Sequence, residues 1–358
     1  MRTNRKVYGF DPDYAIAPGE TLKETMESLG MSQKELAART GLTVQSLNRI
    51  FKGEQPINYE TAGKLELVTG VPARFWNDLE AQYREQLEKI RELKELDKNA
   101  TWLKLIPIAE LQKRGLIGGA EIKNELIRET LKFFGVSSVS AWEQIWTNPK
   151  VAARRSSCFE TRPGYAAAWI RQGEISALKL NCKPFNKNKF KDALLRIRGL
   201  TTESPDQFIP KMIQLCSDSG VALALVPEMQ KVPWSGATKW IHPQKAMVII
   251  NLRGKREDKF WFSFFHEAGH VLNDNKKNLY INDNSDDPVE ERANKFATSL
   301  LFPKDYKSVI PTLRSKQKII SYANKTNLSC GIVAGQYQFL TNKWGWYNDM
   351  IRKFVWAD

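Results

Sequence analysis

KFWFSFFHEAGHVLN, residues 259–273, sets two histidines and a glutamate into an almost wholly apolar run. On an α-helix a four-residue step turns about 400° and rises roughly 6 Å, so His266 and His270 stack on one face and can hold a single ion. Glu267 falls beside them. Two neutral imidazoles and an adjacent carboxylate that is free to take a proton are the groups zinc-assisted hydrolysis of an amide needs. Phe262, Phe264, Phe265, Val271 and Leu272 predict that this helix is buried on most sides. Composition argues against a chance pairing. The chain has 3 histidines, and two of them stand here, where an unpaired polar group is costly.

A third ligand has to come from downstream. Glu290 starts Glu-Glu-Arg-Ala-Asn-Lys-Phe-Ala, a helix that Pro288 helps to open, and Asn294 follows Glu290 by one helical turn. The spacing puts a carboxylate on the metal and an amide below it, able to hold a ligand imidazole by its other ring nitrogen. Glu291 shares its face with Thr298 and is the poorer ligand. His242 and Tyr280 could steady an oxyanion, but both stay outside the core set.

A length of 358 residues at 42% apolar composition allows two or three domains with real cores. The opening MRTNRKVYGF lacks an apolar stretch of signal-peptide length, and no run approaches the roughly eighteen apolar residues of a membrane span, so we expect a cytoplasmic protein with no membrane partner. Cys158, Cys182, Cys216 and Cys330 lie far apart, as reduced thiols do. The net charge of +14 is unevenly spread: residues 1–96 carry 14 Lys/Arg against 15 Asp/Glu, which leaves the excess downstream as Lys-rich solvated surface.

Residues 21–70 read as short capped helices. Thr21-Leu-Lys-Glu24 and Ser32-Gln-Lys-Glu35 have the spacing of a capping box. Leu22, Met26 and Leu29 give one apolar face, and Leu36 with Ala37 another. Gly41 suits a left-handed turn, and Thr43 to Phe51 form a further helix with Val44, Leu47, Ile50 and Phe51 turned inward. That leaves Thr43, Gln45, Ser46, Asn48 and Arg49 on the outer face, a set able to bond base edges and phosphates in a major groove. Gln33, Ala37, Gly41, Leu47 and Ile50 match the pattern of the Xre/Cro-type helix-turn-helix. The stretch with Phe51-Lys-Gly53 and Tyr59 to Gly70 resembles the variant found in HigA-type antitoxins. The resemblance implies double-stranded DNA as a partner, with Gln33 added to the contact set, and a homodimer reading two half-sites.

Beyond Val71-Pro72, Trp76, Leu79, Tyr83, Ile90 and Leu93 mark a long helix over about 73–96. Residues 101–204 show amphipathic helices at 122–134, 140–146, 164–171 and 189–198 but no visible chemistry. From 205 the texture changes to a helix near 208–217 and two apolar strands, 221–226 and 246–252. The second lies just ahead of the HEAGH helix, and we expect it to line the cleft and offer its edge to an extended substrate.

Gly236-Ala-Thr-Lys-Trp240, the HEAGH segment, and residues 290–303 with their Ala-Asn-x-Phe-Ala and Leu-Leu-x-Pro pieces together resemble the ImmA/IrrE family of zinc metallo-endopeptidases. The resemblance implies Zn2+ on His266, His270 and Glu290, with Glu267 as general base and Asn294 behind a ligand. A metzincin set is excluded because Lys276 stands where its third histidine belongs. The expected chain is mainly α, of α+β class: a helix-turn-helix domain over 1–70, a connecting or dimerisation helix over 71–100, a helical middle region over 101–204, and a zincin-like peptidase domain with a small sheet over 205–358. Two functions follow from this organisation. One is a DNA-binding regulator that hydrolyses a peptide bond in a regulatory protein. The other is a non-catalytic repressor or HigA-like antitoxin whose zinc fold binds a toxin-like partner or a signal.

Overall fold

Short polar side chains and prolines mark where the amino-terminal helices start. The computed structural model describes residues 14–99, 101–120, 122–147, 162–281 and 288–356. The opening decapeptide and Cys158 lie outside them. The chain divides into two units, Met1–Ala100 and Thr101–Asp358.

In the first unit Ser32 caps α2 (Gln33–Thr40), Thr43 caps α3 (Val44–Phe51) and Asn58 caps α4 (Tyr59–Thr69), each side chain accepting a backbone N–H of the first turn. Pro18 opens α1 (Pro18–Ser28) a turn before the capping box expected at Thr21, because its fixed φ suits a first helical position and it has no N–H to satisfy. Gly41, at φ +69°, ends α2 with open space around it, so conformation rather than crowding demands glycine there. Leu22, Leu36, Leu47, Ile50 and Leu65 form the interior, which Trp76 of α5 (Ala73–Lys98) completes. Glu80 ties α5 down by accepting the Ile57 N–H at 3.1 Å and the Arg84 Nε–H at 2.7 Å. Leu29 and Val44 face solvent instead of the core, because they sit at the ends of their helices, where the neighbouring turn does not cover them.

The second unit is built on a mixed sheet in the order β1-β3-β2-β4, made of β1 (Val221–Leu225), β2 (Gly236–His242), β3 (Lys245–Ile250) and β4 (Tyr280–Ile281). β3 runs parallel to β1 and antiparallel to β2, and β4 pairs with β2 at Ala237 and Thr238. Ala246 to Ile250 are all buried, as suits a strand covered on both faces. The strand expected to line the cleft is therefore an interior one. Its pairing edges are taken by β1 and β2, and among the described residues β4 is the last strand on the side where β2 lies.

Helices cover the sheet. The middle region holds α6 (Ile108–Lys113), α7 (Lys123–Phe134), α8 (Val139–Trp146), α9 (Pro163–Lys179) and α10 (Lys187–Gly199), and α11 (Pro205–Asp218) follows; α9 and α11 pack on β1, while α7 and α8 back α9. α9 runs well beyond residue 171 because its small residues let it lie on the sheet; a Cβ at Gly173 would fall 2.1 Å from Ile249. Phe190, Leu194 and Ile197 share one core with Phe208, Val248 and Phe264, so packing is continuous across residue 204. α12 (Glu257–Asn273), α13 (Pro288–Leu301), α14 (Tyr306–Val309), α15 (Lys316–Thr326) and α16 (Cys330–Thr341) complete the unit. Glu257, fully buried at the head of α12, accepts from Ser329 Oγ at 2.6 Å and from Arg352 N and Nε at 2.8 and 2.7 Å. Among the described residues no helix is long and apolar enough to cross a membrane.

Candidate metal centre

α12 and α13 approach closely because Gly269 carries no side chain: a Cβ there would meet Phe296 at 3.1 Å and Ala293 at 3.4 Å. That contact brings Glu290 of α13 over the two histidines of α12. His266 Nε2 lies 3.0 Å from Glu290 Oε2 and 3.0 Å from His270 Nε2, and His270 Nε2 lies 3.3 Å from Glu290 Oε1. All three residues are buried, and one ligand atom from each falls within 4.8 Å of the others. Each ring has an acceptor behind it, Asn294 Oδ1 at 2.8 Å from His266 Nδ1 and Asp274 Oδ2 at 2.8 Å from His270 Nδ1. With the Nδ1 protons donated there, both Nε2 lone pairs and the carboxylate converge on one small volume. Such a set repels itself unless a cation sits in it, so these residues fit a metal ion.

Glu267 is fully buried beside this set. Thr238 Oγ lies 2.6 Å from Glu267 Oε2 and 3.1 Å from the Glu267 carbonyl, tying β2 to the turn that carries the histidines. Gly236, two residues earlier on the same face of β2, makes room for the carboxyl, since a Cβ there would stand 2.6 Å from Oε1. Oε1 is buried with no hydrogen-bond partner among the described residues. Burial pushes the Glu267 carboxyl up to about 8, against the opposing pull of His266 and the Thr238 hydroxyl. At Glu290 burial also acts upward, but where the His266 and His270 rings carry a proton at Nε2 as well, their bonds and charges outweigh it and hold the carboxyl down at about 2. Two neighbouring carboxyls are thus driven apart, one toward holding a proton and one toward lasting charge.

Of the other residues considered, Glu291 is exposed and paired with Lys295 at 2.7 Å. His242 is exposed at the far end of β2, where its Nδ1 accepts the Gln244 N–H at 3.3 Å. Tyr280 lies against the site but turns its hydroxyl to Asn275, and its ring stacks on His270. Sequence reasoning missed the parts played by Thr238, Asp274 and Tyr280. Only Asp274 had left a signal: it follows His270 by the same four-residue step that links Glu290 to Asn294.

In the helix-turn-helix, Gln45 and Arg49 of α3 are exposed. Gln33 Nε2 donates to Asn48 Oδ1 at 2.8 Å and to the Val44 carbonyl at 3.3 Å, so two of the expected contact residues are joined to each other. Thr43 Oγ is engaged as the cap of α3, and Ser46 Oγ accepts from Gln55 at 2.7 Å. Arg39 is turned onto Glu35 at 2.6 Å, which reduces the basic character of this face.

Residues 22–76 match the family model described as Helix-turn-helix, and residues 227–334 match the model described as IrrE N-terminal-like domain, that of peptidase family M78. The first match runs from Leu22 in α1 to the core residue Trp76. The second contains Gly236, Thr238, the histidines, Asp274, Tyr280, Glu290 and Asn294. The chain thus joins an Xre-like helix-turn-helix domain to an IrrE-like peptidase domain. No curated protein matches it.

Proposed function

We propose that this chain is a cytoplasmic DNA-binding regulator and a zinc-dependent endopeptidase, whose helix-turn-helix brings it to an operator and whose metal centre hydrolyses a peptide bond in a regulatory protein. The observation that carries the peptidase reading is the buried Oε1 of Glu267, unpartnered among the described residues, beside three converging ligand atoms. A closed structural zinc site has four protein ligands and no need of a base, whereas among the described residues the converging set is His266, His270 and Glu290, with a carboxyl beside it that is not part of the set. Zinc held there supplies Lewis acidity, acidifying a water and steadying negative charge on the scissile carbonyl oxygen. A cation beside it would favour the ionised form of Glu267, which would take the proton of the attacking water at Oε1 and pass it to the departing amine, while Thr238 keeps Oε2 in place. Asn294 holds the His266 ring with Nε2 toward the ion. On the DNA side, Gln45 and Arg49 reach the major groove, the Gln33–Asn48 pair sets the edge of the reading face, and Thr43 and Ser46 meet the backbone. Two copies read half-sites about one helical turn apart.

The test compares wild type with Glu267→Gln in cells, following fragmentation of this protein and of regulators encoded near it, alongside zinc content and operator binding of the purified chains. Wild type should cut a regulator and carry about one zinc per chain, and Glu267→Gln should keep zinc and DNA binding but lose cleavage. If no regulator is cut under any inducing condition and both forms control the operator equally, the chain is a non-catalytic regulator.

A further inference from the structure

We infer that Asp274, braced by Arg292, is the residue that positions His270 for the ion, and that the two ligand histidines are held unequally, His270 the more firmly. The inference rests on the zinc reading above. His266 donates its Nδ1 proton to a neutral amide oxygen, Asn294 Oδ1 at 2.8 Å, on a residue exposed to solvent. His270 donates to a carboxylate, Asp274 Oδ2 at 2.8 Å, on a side chain only 3% exposed. A hydrogen bond to an ionised acceptor is roughly twice as strong as one between neutral partners, and burial spares it competition from water. The carboxylate also draws the shared proton toward itself, which leaves His270 Nε2 the better electron donor to a cation.

A buried carboxylate needs its second oxygen compensated, and Arg292 binds Asp274 Oδ1. Arg292 stands two residues after Glu290 on α13, so the third ligand and the brace move as one rigid element. Asp274 is also fixed through its backbone: it follows the last residue of α12, and its N–H donates to the His270 carbonyl at 3.2 Å. Tyr280 lies flat on the His270 ring, with centroids 4.7 Å apart and planes 8° from parallel. Asp274 therefore sets the direction of the ring and Tyr280 its plane. The aromatic neighbour of His266, Phe262, is 6.3 Å away and tilted by 38°, and fixes neither.

The experiment measures zinc affinity of the full chain by competition with a chromogenic chelator, for wild type and the Asp274→Asn, Asp274→Ala, Asn294→Ala and Tyr280→Phe variants. Each is also saturated with cobalt(II), whose d–d absorption reports ligand geometry independently of stability. Asp274→Ala should bind zinc about 10- to 100-fold more weakly than wild type and shift the cobalt band. Asn294→Ala should lose less, and Tyr280→Phe, which keeps the stacking ring, should match wild type. Asp274→Asn keeps the shape and removes the charge. It makes the same comparison if the alanine variant does not fold, and it too should bind more weakly than Asn294→Ala. Wild-type affinity in both Asp274 variants, or a larger loss in Asn294→Ala than in either, overturns the inference while leaving the zinc reading in place. A wild-type chain that binds no zinc removes the zinc reading and this inference with it.

Discussion

α3 and α12 use water in opposite ways. α3 buries Leu47, Ile50 and Phe51 and leaves Gln45 and Arg49 in solvent, where each polar group is satisfied independently of its neighbours. α12 withdraws His266, Glu267 and His270 from solvent, down to 1% exposure or less, so every polar group must find a fixed partner in the protein or in an ion. A polar substitution on α3 should therefore change recognition and little else, whereas one on or around α12 should spread through a chain of dependent groups.

The strongest challenge to this contrast comes from the head of α12. Arg352→Ala strips the buried Glu257 of its guanidinium, and denaturant unfolding should show a loss of about 3–5 kcal/mol, because an uncompensated carboxylate remains inside. A loss under 1 kcal/mol would mean that the buried charges of this unit are less interdependent than the contrast requires.

The second challenge is pH. In the metal-free chain the Glu267 carboxyl titrates near 8 rather than near its ordinary 4.5, so between those values the unfolded state has released a proton that the folded state still holds. Folding stability from this group must then fall as pH rises from about 4.5 to about 8, and level off above. Thermal unfolding in a chelator should show that decline in wild type, while Glu267→Gln gives a flatter profile and exceeds wild type at the alkaline end. Parallel profiles would break the link between burial and dependence.

Two glycines sharpen the comparison. Gly236→Ala pushes a methyl group into Glu267 Oε1, and a displaced base should slow cleavage by about 100-fold while zinc content stays unchanged. Gly41→Ala meets no atom, but its left-handed backbone should cost the helix-turn-helix about 1 kcal/mol by thermal unfolding. The smallest stability effect belongs to α3. Gln45→Ala and Arg49→Ala should each leave unfolding within about 0.5 kcal/mol of wild type, yet weaken operator binding by about 1–3 kcal/mol in mobility shifts where the side chain reaches a base.

The same contrast explains what could be read from residue order. That His266, His270, Glu290 and Asn294 come together was legible because a four-residue step on a helix is a statement about space, and because histidines are scarce in this chain. The caps at Ser32 and Thr43 were legible for the same local reason. β2 was not legible as a structural partner: Thr238 and Glu267 are 29 positions apart, and nothing in Gly-Ala-Thr-Lys-Trp says which buried carboxylate lies across from its hydroxyl. The interior place of β3 was hidden too, since an apolar run reads alike in any covered strand and its neighbours are chosen by the tertiary fold. Thr21 misled because two start signals stood three residues apart and the proline came first.

The bond between Glu257 and Arg352 spans 95 positions, and that span sets an order of events during synthesis. The fifteen residues that hold both histidines are made before Arg352, and the acid at the head of their helix lacks its guanidinium partner until residue 352 has been made. At about 5–20 residues per second, that is a wait of roughly 5–20 seconds. Until then, burying the head of that helix means burying a bare charge, so the helix cannot settle into the core. A nascent chain therefore carries both histidines for seconds before the head of the helix that holds them can be buried with its charge compensated.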